Sequence, residues 1–348
     1  MSVNLAACVT SFLIAFISLP VVIKYTLEKN LVDTPDSRKI HTKITPSLGG
    51  IAIFAGFLVA FLVWMDFIQW SVLRYVLASL FIVFLLGVRD DLVPFRAMHK
   101  LIGQIVAVVI LLFSEIQINS FYGLLGVNSI PVYIGYPITA FTIIVITNSF
   151  NLIDGLDGLA GSVGLVALLA FGIWFYNVGD YNYSLMCFAM IGGILAFLVF
   201  NWEPSQIFMG DTGAMLIGMM LAILVIRFMG VNYLQPETSF WHYKGVISSA
   251  AAFIMLPLCD TVRIMIIRIA RGQSPFSADK SHIHHRVMQL GISHSRSSLI
   301  LLSVSALFIL VSFVFRHIGD RIMIPVLIAL AVALNLLLEL RLRYKKAS

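Results

Sequence analysis

Charge is scarce in this chain. Only 11% of its 348 residues are Asp, Glu, Lys or Arg, against roughly a quarter in soluble domains, which excludes a water-facing surface over most of the molecule. Cysteine is scarcer still, at 3 residues. Cys8, Cys187 and Cys259 each stand alone in a separate apolar run, and the lack of CxxC or Cys/His spacing excludes a disulfide framework and a zinc-cysteine site. They read as small packing residues. There is no low-complexity tract, no short-period repeat and no soluble segment of interleaved basic and aromatic residues, so the net charge of +6 is not the footprint of a nucleic-acid partner. What the chain has in abundance is apolar surface: 60% hydrophobic residues and a mean hydropathy of +0.97, the composition of a polytopic membrane protein.

A spanning helix needs about 20 apolar residues, because backbone amides facing lipid find no other partner. Eleven stretches meet that need, near 4–27, 48–66, 71–88, 99–117, 130–149, 158–178, 183–200, 212–229, 244–268, 298–316 and 322–341. The expected fold is therefore an all-α polytopic integral membrane protein with about eleven transmembrane helices in one membrane domain, 1–348. Lys24, Glu28 and Lys29 follow the first stretch where a secretory leader would show a small-residue cleavage site, so that stretch reads as a retained helix.

With eleven spans the connections alternate in side. One set comprises 28–47, 89–98, 150–157, 201–211, 269–297 and the tail 342–348. All but five of the 23 Lys and Arg residues lie in or near this set, the exceptions being Arg74, Arg227, Lys244, Arg316 and Arg321. By the positive-inside rule this set faces the cytoplasm and the N-terminus faces outward, and the excess positive charge suits anionic lipid headgroups of the bilayer.

The same loops carry nearly all the chemistry-bearing side chains. Asp90-Asp91 end the third stretch, where the helix dipole is already negative, so the pair needs a cation, with Arg89 and Arg96 as local options. Asn151, Asp154 and Asp157 recur at i, i+3, i+6, which places three oxygen-bearing side chains on nearly one face of a helical turn. Asp157 could alternatively cap the sixth span. Asp211, within Met209-Gly210-Asp211-Thr212-Gly213, opens the eighth span, where a free helix N-terminus attracts phosphate; a plain N-cap is its simpler reading. His282, His284 and His285 crowd beside Arg286 in a pattern suited to donating hydrogen bonds to phosphate or an acidic sugar nucleotide. Asp260 and Arg263, one turn apart, read as an internal ion pair or as part of the same site. Together, carboxylates with an Asn suit Mg²⁺ or Mn²⁺ chelated by a diphosphate, and Lys100, Arg286 and the histidines suit phosphate oxygens. Such a set implies phosphoryl transfer between a soluble nucleotide and a lipid.

Five motifs in order then make the chain resemble a known family. These are Val32-Asp33-Thr34-Pro35-Asp36, Pro46-Ser47-Leu48-Gly49-Gly50, the Asp90-Asp91 pair with the Asn151/Asp154/Asp157 segment, Phe208-Met209-Gly210-Asp211, and the segment from Ser274 to Arg286. They are similar to those of the polyprenyl-phosphate N-acetylhexosamine-1-phosphate transferases, and most of all to the bacterial undecaprenyl-phosphate N-acetylglucosamine-1-phosphate branch. The resemblance covers most of the chain. It implies an eleven-helix fold with a cytoplasmic-face cleft, often as a homodimer. It also implies Asp211, Asn151 and Asp91 as metal ligands and Asp90 as the base on the lipid phosphate. Lys100 would contact phosphate, and Asp154 and Asp157 would serve the nucleotide side. Asn151, Asp154, Lys43 and Arg286 would hold the Mg²⁺-nucleotide (Mn²⁺ as alternative), and His282, His284 and His285 would grip the sugar diphosphate.

The implied reaction moves N-acetylglucosamine-1-phosphate from UDP-GlcNAc to undecaprenyl phosphate and releases UMP, as the first step of a cell-envelope glycan such as O-antigen, common antigen or teichoic acid. Other UDP-N-acetylhexosamines and UDP-MurNAc-pentapeptide share the acidic motifs, whereas the His-Ile-His-His-Arg loop favours the GlcNAc branch. A cation-coupled transporter is the contrasting class, but it would place its acids near the bilayer midplane in paired halves.

Overall fold

The computed structural model describes residues 1–29, 32–33, 45–114, 116–274 and 282–347. In chain order the helices among them are α1 (Ser2–Glu28), α2 (Gly49–Trp64), α3 (Trp70–Leu92), α4 (Ala97–Leu111), α5 (Val132–Leu152), α6 (Leu159–Asn177), α7 (Tyr181–Asn201), α8 (Gly210–Leu234), α9 (Val246–Phe253), α10 (Met255–Ala270), α11 (Ile283–Met288), α12 (His294–Val314) and α13 (Asp320–Ala347). The extended structure among the described residues is one antiparallel pairing of Val32–Asp33 with Thr45–Pro46.

The bundle is built around α8. A helix that is apolar on every face must be buried, and every residue from Thr212 to Ile226 is. Around it pack α2, α3, α5, α6 and α9, with α1 and α7 closing the far side of α2. At its far end, roughly 25 Å from its start by helical rise, Arg227 Nε donates to Asp180 Oδ2 at 2.8 Å and its guanidinium lies 4.8 Å from the Tyr183 ring. A charge that deep is kept by a partner.

Eight helices, α1, α3, α5, α6, α7, α8, α12 and α13, are long and apolar enough to cross a membrane. The chain is thus an all-helical, multi-pass membrane protein. The remaining expected spans take other forms. The stretches at 48–66 and 99–117 form shorter apolar helices, α2 with 16 residues and α4 with 15. The stretch at 244–268 is broken, with α9 and α10 meeting at 90°. Pro257 sits in the first turn of α10; it has no N–H for the Phe253 carbonyl and its ring would collide with that group, so the helix cannot run straight through. The expected connections are shorter than the hydropathy suggested. α3 runs through Asp90 and Asp91, α5 runs through Asn151, and the tail continues α13 to Ala347.

Candidate active site at one end of the bundle

The N-terminus of α8 organises this end of the molecule. Phe208 N–H donates to the Pro46 carbonyl at 2.7 Å, and Gly49 N–H and Gly50 N–H donate to Phe208 and Met209 carbonyls at 3.0 Å each. Two motifs far apart in sequence are thereby zipped together, and α2 and α8 begin side by side. Gly210 turns the chain into α8 with φ +72°, and a Cβ there would run into the Ser47 carbonyl and the Asp91 carboxylate. Only glycine meets both conditions.

Asp91, on the last turn of α3, accepts from the Asp211 N–H at 2.8 Å, the Thr212 N–H at 3.0 Å and the Thr212 hydroxyl at 2.5 Å. It caps α8 from another helix. The α8 N-terminus that the sequence offers to phosphate is therefore filled by the protein's own carboxylate, and the N-cap role open to Asp211 falls to Asp91 instead. That frees the Asp211 side chain. Its Oδ1 lies 2.7 Å from Lys100 Nζ, which also reaches Asp90 Oδ2 at 3.0 Å, and the Asn151 side chain lies near enough to favour the charged form of the Asp211 carboxylate. Asp90 is buried and is held further by the Phe95 N–H at 2.5 Å. The cation for the acid pair is thus Lys100 on α4. Arg89 turns away, donating to the Val93 carbonyl at 2.7 Å with its guanidinium 5.0 Å from the Phe95 ring.

Asp154 and Asp157 sit in the turn between α5 and α6. Half-buried beside other acids, Asp154 has its pKa pushed up to about 7, first by burial and then by repulsion from Asp211, Asp91 and Asp157. Asp157 is not the cap of α6, whose N-cap is Gly158 with no side-chain bond. It is buried instead against the start of α12: its Oδ2 accepts from Ser205 N–H at 3.3 Å and lies 3.8 Å from His294 Nδ1, and its carbonyl accepts from the Ser298 hydroxyl at 2.8 Å. Exposed Glu203 holds the Ser295 N–H at 2.8 Å, which lowers its pKa.

The histidine segment closes over this turn. His282 and His284 are buried and their rings lie parallel, 5.7 Å apart; His285 follows at 4.3 Å from His284. Burial, then the neighbouring His285, pull the His284 pKa down to about 3, so this imidazole is neutral near pH 7. Its Nε2 end abuts Gly155, where a Cβ would overlap the ring. Gly155→Ala is accordingly expected to lower kcat/KM about 10- to 100-fold, because small misplacements of a reacting array are costly. Its thermal midpoint should stay close to that of the wild type, since the turn itself is free of strain; steady-state kinetics beside a melting curve checks both halves. Arg286, expected on the nucleotide, is instead ion-paired to Glu339 of α13, which also holds Arg343 at 3.1 Å. Lys43 lies outside the described residues, as does 275–281 of the same segment.

The acids and the Asn form a hard-oxygen donor set. Among the described residues no three His, Cys, Asp or Glu side chains converge on one metal-sized point, and the cation lodged between Asp90 and Asp211 is the Lys100 ammonium. That arrangement fits Mg²⁺, which usually takes one or two protein carboxylates and completes its shell with water and substrate phosphates. Sequence reasoning missed Thr212, Gly155 as a ring contact, and His294, whose burial nothing local announces.

The family model described as glycosyl transferase family 4 matches residues 73–229. A probable undecaprenyl-phosphate N-acetylglucosaminyl 1-phosphate transferase of Bacillus subtilis (strain 168) is 29% identical over 345 residues, 96% of this chain and 90% of its own. Undecaprenyl-phosphate alpha-N-acetylglucosaminyl 1-phosphate transferases of Yersinia pestis and Escherichia coli (strain K12) are 31% and 30% identical, covering 93% and 81% of this chain and 86% and 76% of theirs.

Proposed function

Because the chain belongs to glycosyl transferase family 4, we propose that it transfers N-acetylglucosamine-1-phosphate from UDP-GlcNAc to undecaprenyl phosphate, giving undecaprenyl-diphospho-GlcNAc and UMP at the cytoplasmic face of a bacterial inner membrane. The observation that carries the reading is the Lys100 bridge between Asp90 and Asp211, since it sets two acids from different helices around one cationic position beside a third, Asp91. A lipid-phosphate oxygen forms the new bond to the β-phosphorus of the donor. The bond from that phosphorus to the bridging oxygen breaks, and the oxygen leaves with UMP.

In this reading Asp90 takes a proton from the lipid phosphate. With a phosphate second pKa near 6, that transfer gains little at pH 7, so alignment and charge matter more. Lys100 keeps Asp90 and Asp211 together despite their like charge and is the cation nearest any incoming phosphate. Asp91 keeps the first turn of α8, and with it Asp211, in place. His282, His284 and His285 cover the turn holding Asp154 and Asp157 and supply hydrogen bonds to the sugar diphosphate. Bound Mg²⁺, held by Asp211 and Asn151 with Mn²⁺ as an alternative, would supply neutralising charge at the diphosphate.

The test is UMP release by purified protein given undecaprenyl phosphate, Mg²⁺ and, in turn, UDP-GlcNAc, UDP-GalNAc and UDP-MurNAc-pentapeptide. Lipid- and metal-dependent UMP from UDP-GlcNAc above the other donors is the expected result; release from another donor alone would overturn the choice of sugar, and release from none would overturn the reaction.

A further inference from the structure

Asp260 is a buried acid next to the histidine segment that the reaction above leaves unused. It is 2% exposed and sits on α10, beyond the break at Ile254. Its Oδ2 is 2.8 Å from His282 Nδ1, and its Oδ1 accepts from the Ile283 N–H at 2.9 Å and from Arg263 Nη2 at 2.9 Å. One carboxylate therefore takes the side chain that opens the histidine segment and the first amide of α11. Because a carboxylate can only accept here, Nδ1 is the protonated nitrogen of His282, which leaves Nε2 as the unprotonated one in the neutral ring. From this anchor the rings follow in order: His282 lies parallel to His284, and His284 abuts Gly155 in the acidic turn.

Close packing holds the segment from beneath only in part, through buried Val287. Between α10, α11, α12 and α13 lies a cavity of about 220 Å³ whose walls include Asp260, Arg263, Ile283 and Val287 with Leu256 and Leu301. The side of α11 that faces α10 thus borders open space, and on that side the bonds to Asp260 attach it, while Val287 and the Arg286–Glu339 pair hold its other sides.

We propose that Asp260 is the positioning residue of the histidine segment: by holding His282 through Nδ1 and α11 through its first amide, it sets His284 against the acidic turn. The inference rests on the sugar-phosphate transfer reading for its kinetic consequence and on geometry alone for the latch. A residue that acts through another behaves like the acid behind a catalytic imidazole, which fixes tautomer and orientation without touching the reacting atoms.

The experiment compares Asp260→Asn, His282→Ala and the double variant in full-length protein. Asp260→Asn is expected to lower kcat/KM for UMP release about 10- to 100-fold, mainly through kcat, and the double variant to be no slower than His282→Ala alone, since the two residues act as a unit. Amide hydrogen exchange over 283–288 is expected to accelerate at least about tenfold in Asp260→Asn while exchange in α8 stays unchanged. Losses that multiply in the double variant, or an unchanged kcat/KM, would overturn the positioning role. Unchanged exchange over 283–288 would overturn the latch. Should Asp260→Asn fail to fold, His282→Ala alone must still accelerate exchange over 283–288, because it removes the same bond from the other side. If the wild type itself released no UMP, the reaction would fall while the exchange result still decided the latch.

Discussion

Asp211→Asn is expected to reduce UMP release about 10²- to 10³-fold while the protein still folds. The substitution keeps size and shape and leaves an amide oxygen that Lys100 and Asn151 can still reach. It removes one negative charge from the point where α3, α4, α5 and α8 meet. Stability changes little, because Lys100 retains Asp90 at 3.0 Å and is not left as an unpaired buried charge; about 1–2 kcal/mol is the scale of one weakened charge-assisted bond. Turnover changes greatly, since an electrostatic group aimed at a transferring phosphate is worth about 3–4 kcal/mol of barrier. Kinetics at saturating lipid, with a Mg²⁺ titration and a melting curve on the same preparation, separates the two effects. Activity within about tenfold of the wild type would remove Asp211 from the reaction.

How much of this site could be read from sequence depended on whether a partner lay nearby in the chain. Asp90 and Lys100, ten residues apart, face each other across the short connection between α3 and α4, as the spacing allows, and the Asn151-to-Asp157 run is a turn carrying its acids together. The pairing of Pro46–Gly50 with Phe208–Asp211 was not legible, because the two bond to one another across about 160 residues, which no local periodicity records. The cap of α8 was legible as a need but not as an assignment: a helix start signals that some acceptor must serve its amides, and Asp211 was the nearest in sequence whereas Asp91 is the nearest in space. Asp260 was visible as the neighbour of Arg263 and not as the anchor of His282, 22 residues on. Arg286 was drawn to phosphate on composition, and Glu339, on a helix outside the motif set, takes it. Hydropathy located each long helix but missed α11, which lies in the polar connection 269–297, and overlooked the break at Pro257, since a proline in an apolar run changes direction without changing polarity.

Asp91→Ala is expected to damage both stability and turnover, and that pairing tells a capping acid from a chemical one. Truncation leaves the Asp211 N–H, the Thr212 N–H and the Thr212 hydroxyl without their acceptor at the start of the most buried helix in the bundle. Loss of a charged cap over several donors costs about 2–4 kcal/mol, so the melting transition should fall clearly below that of Asp211→Asn. UMP release should fall about 10²-fold as well, because the loosened turn carries Asp211 itself. Asp91→Asn keeps one acceptor oxygen and is expected to lie between the wild type and Asp91→Ala in stability. The order of melting points therefore reads out the role. If Asp91→Ala melts with the wild type yet is inactive, Asp91 acts on substrate or metal and the α8 amides find water instead; if it melts early and loses activity in step, Asp91 serves the reaction through the helix it caps.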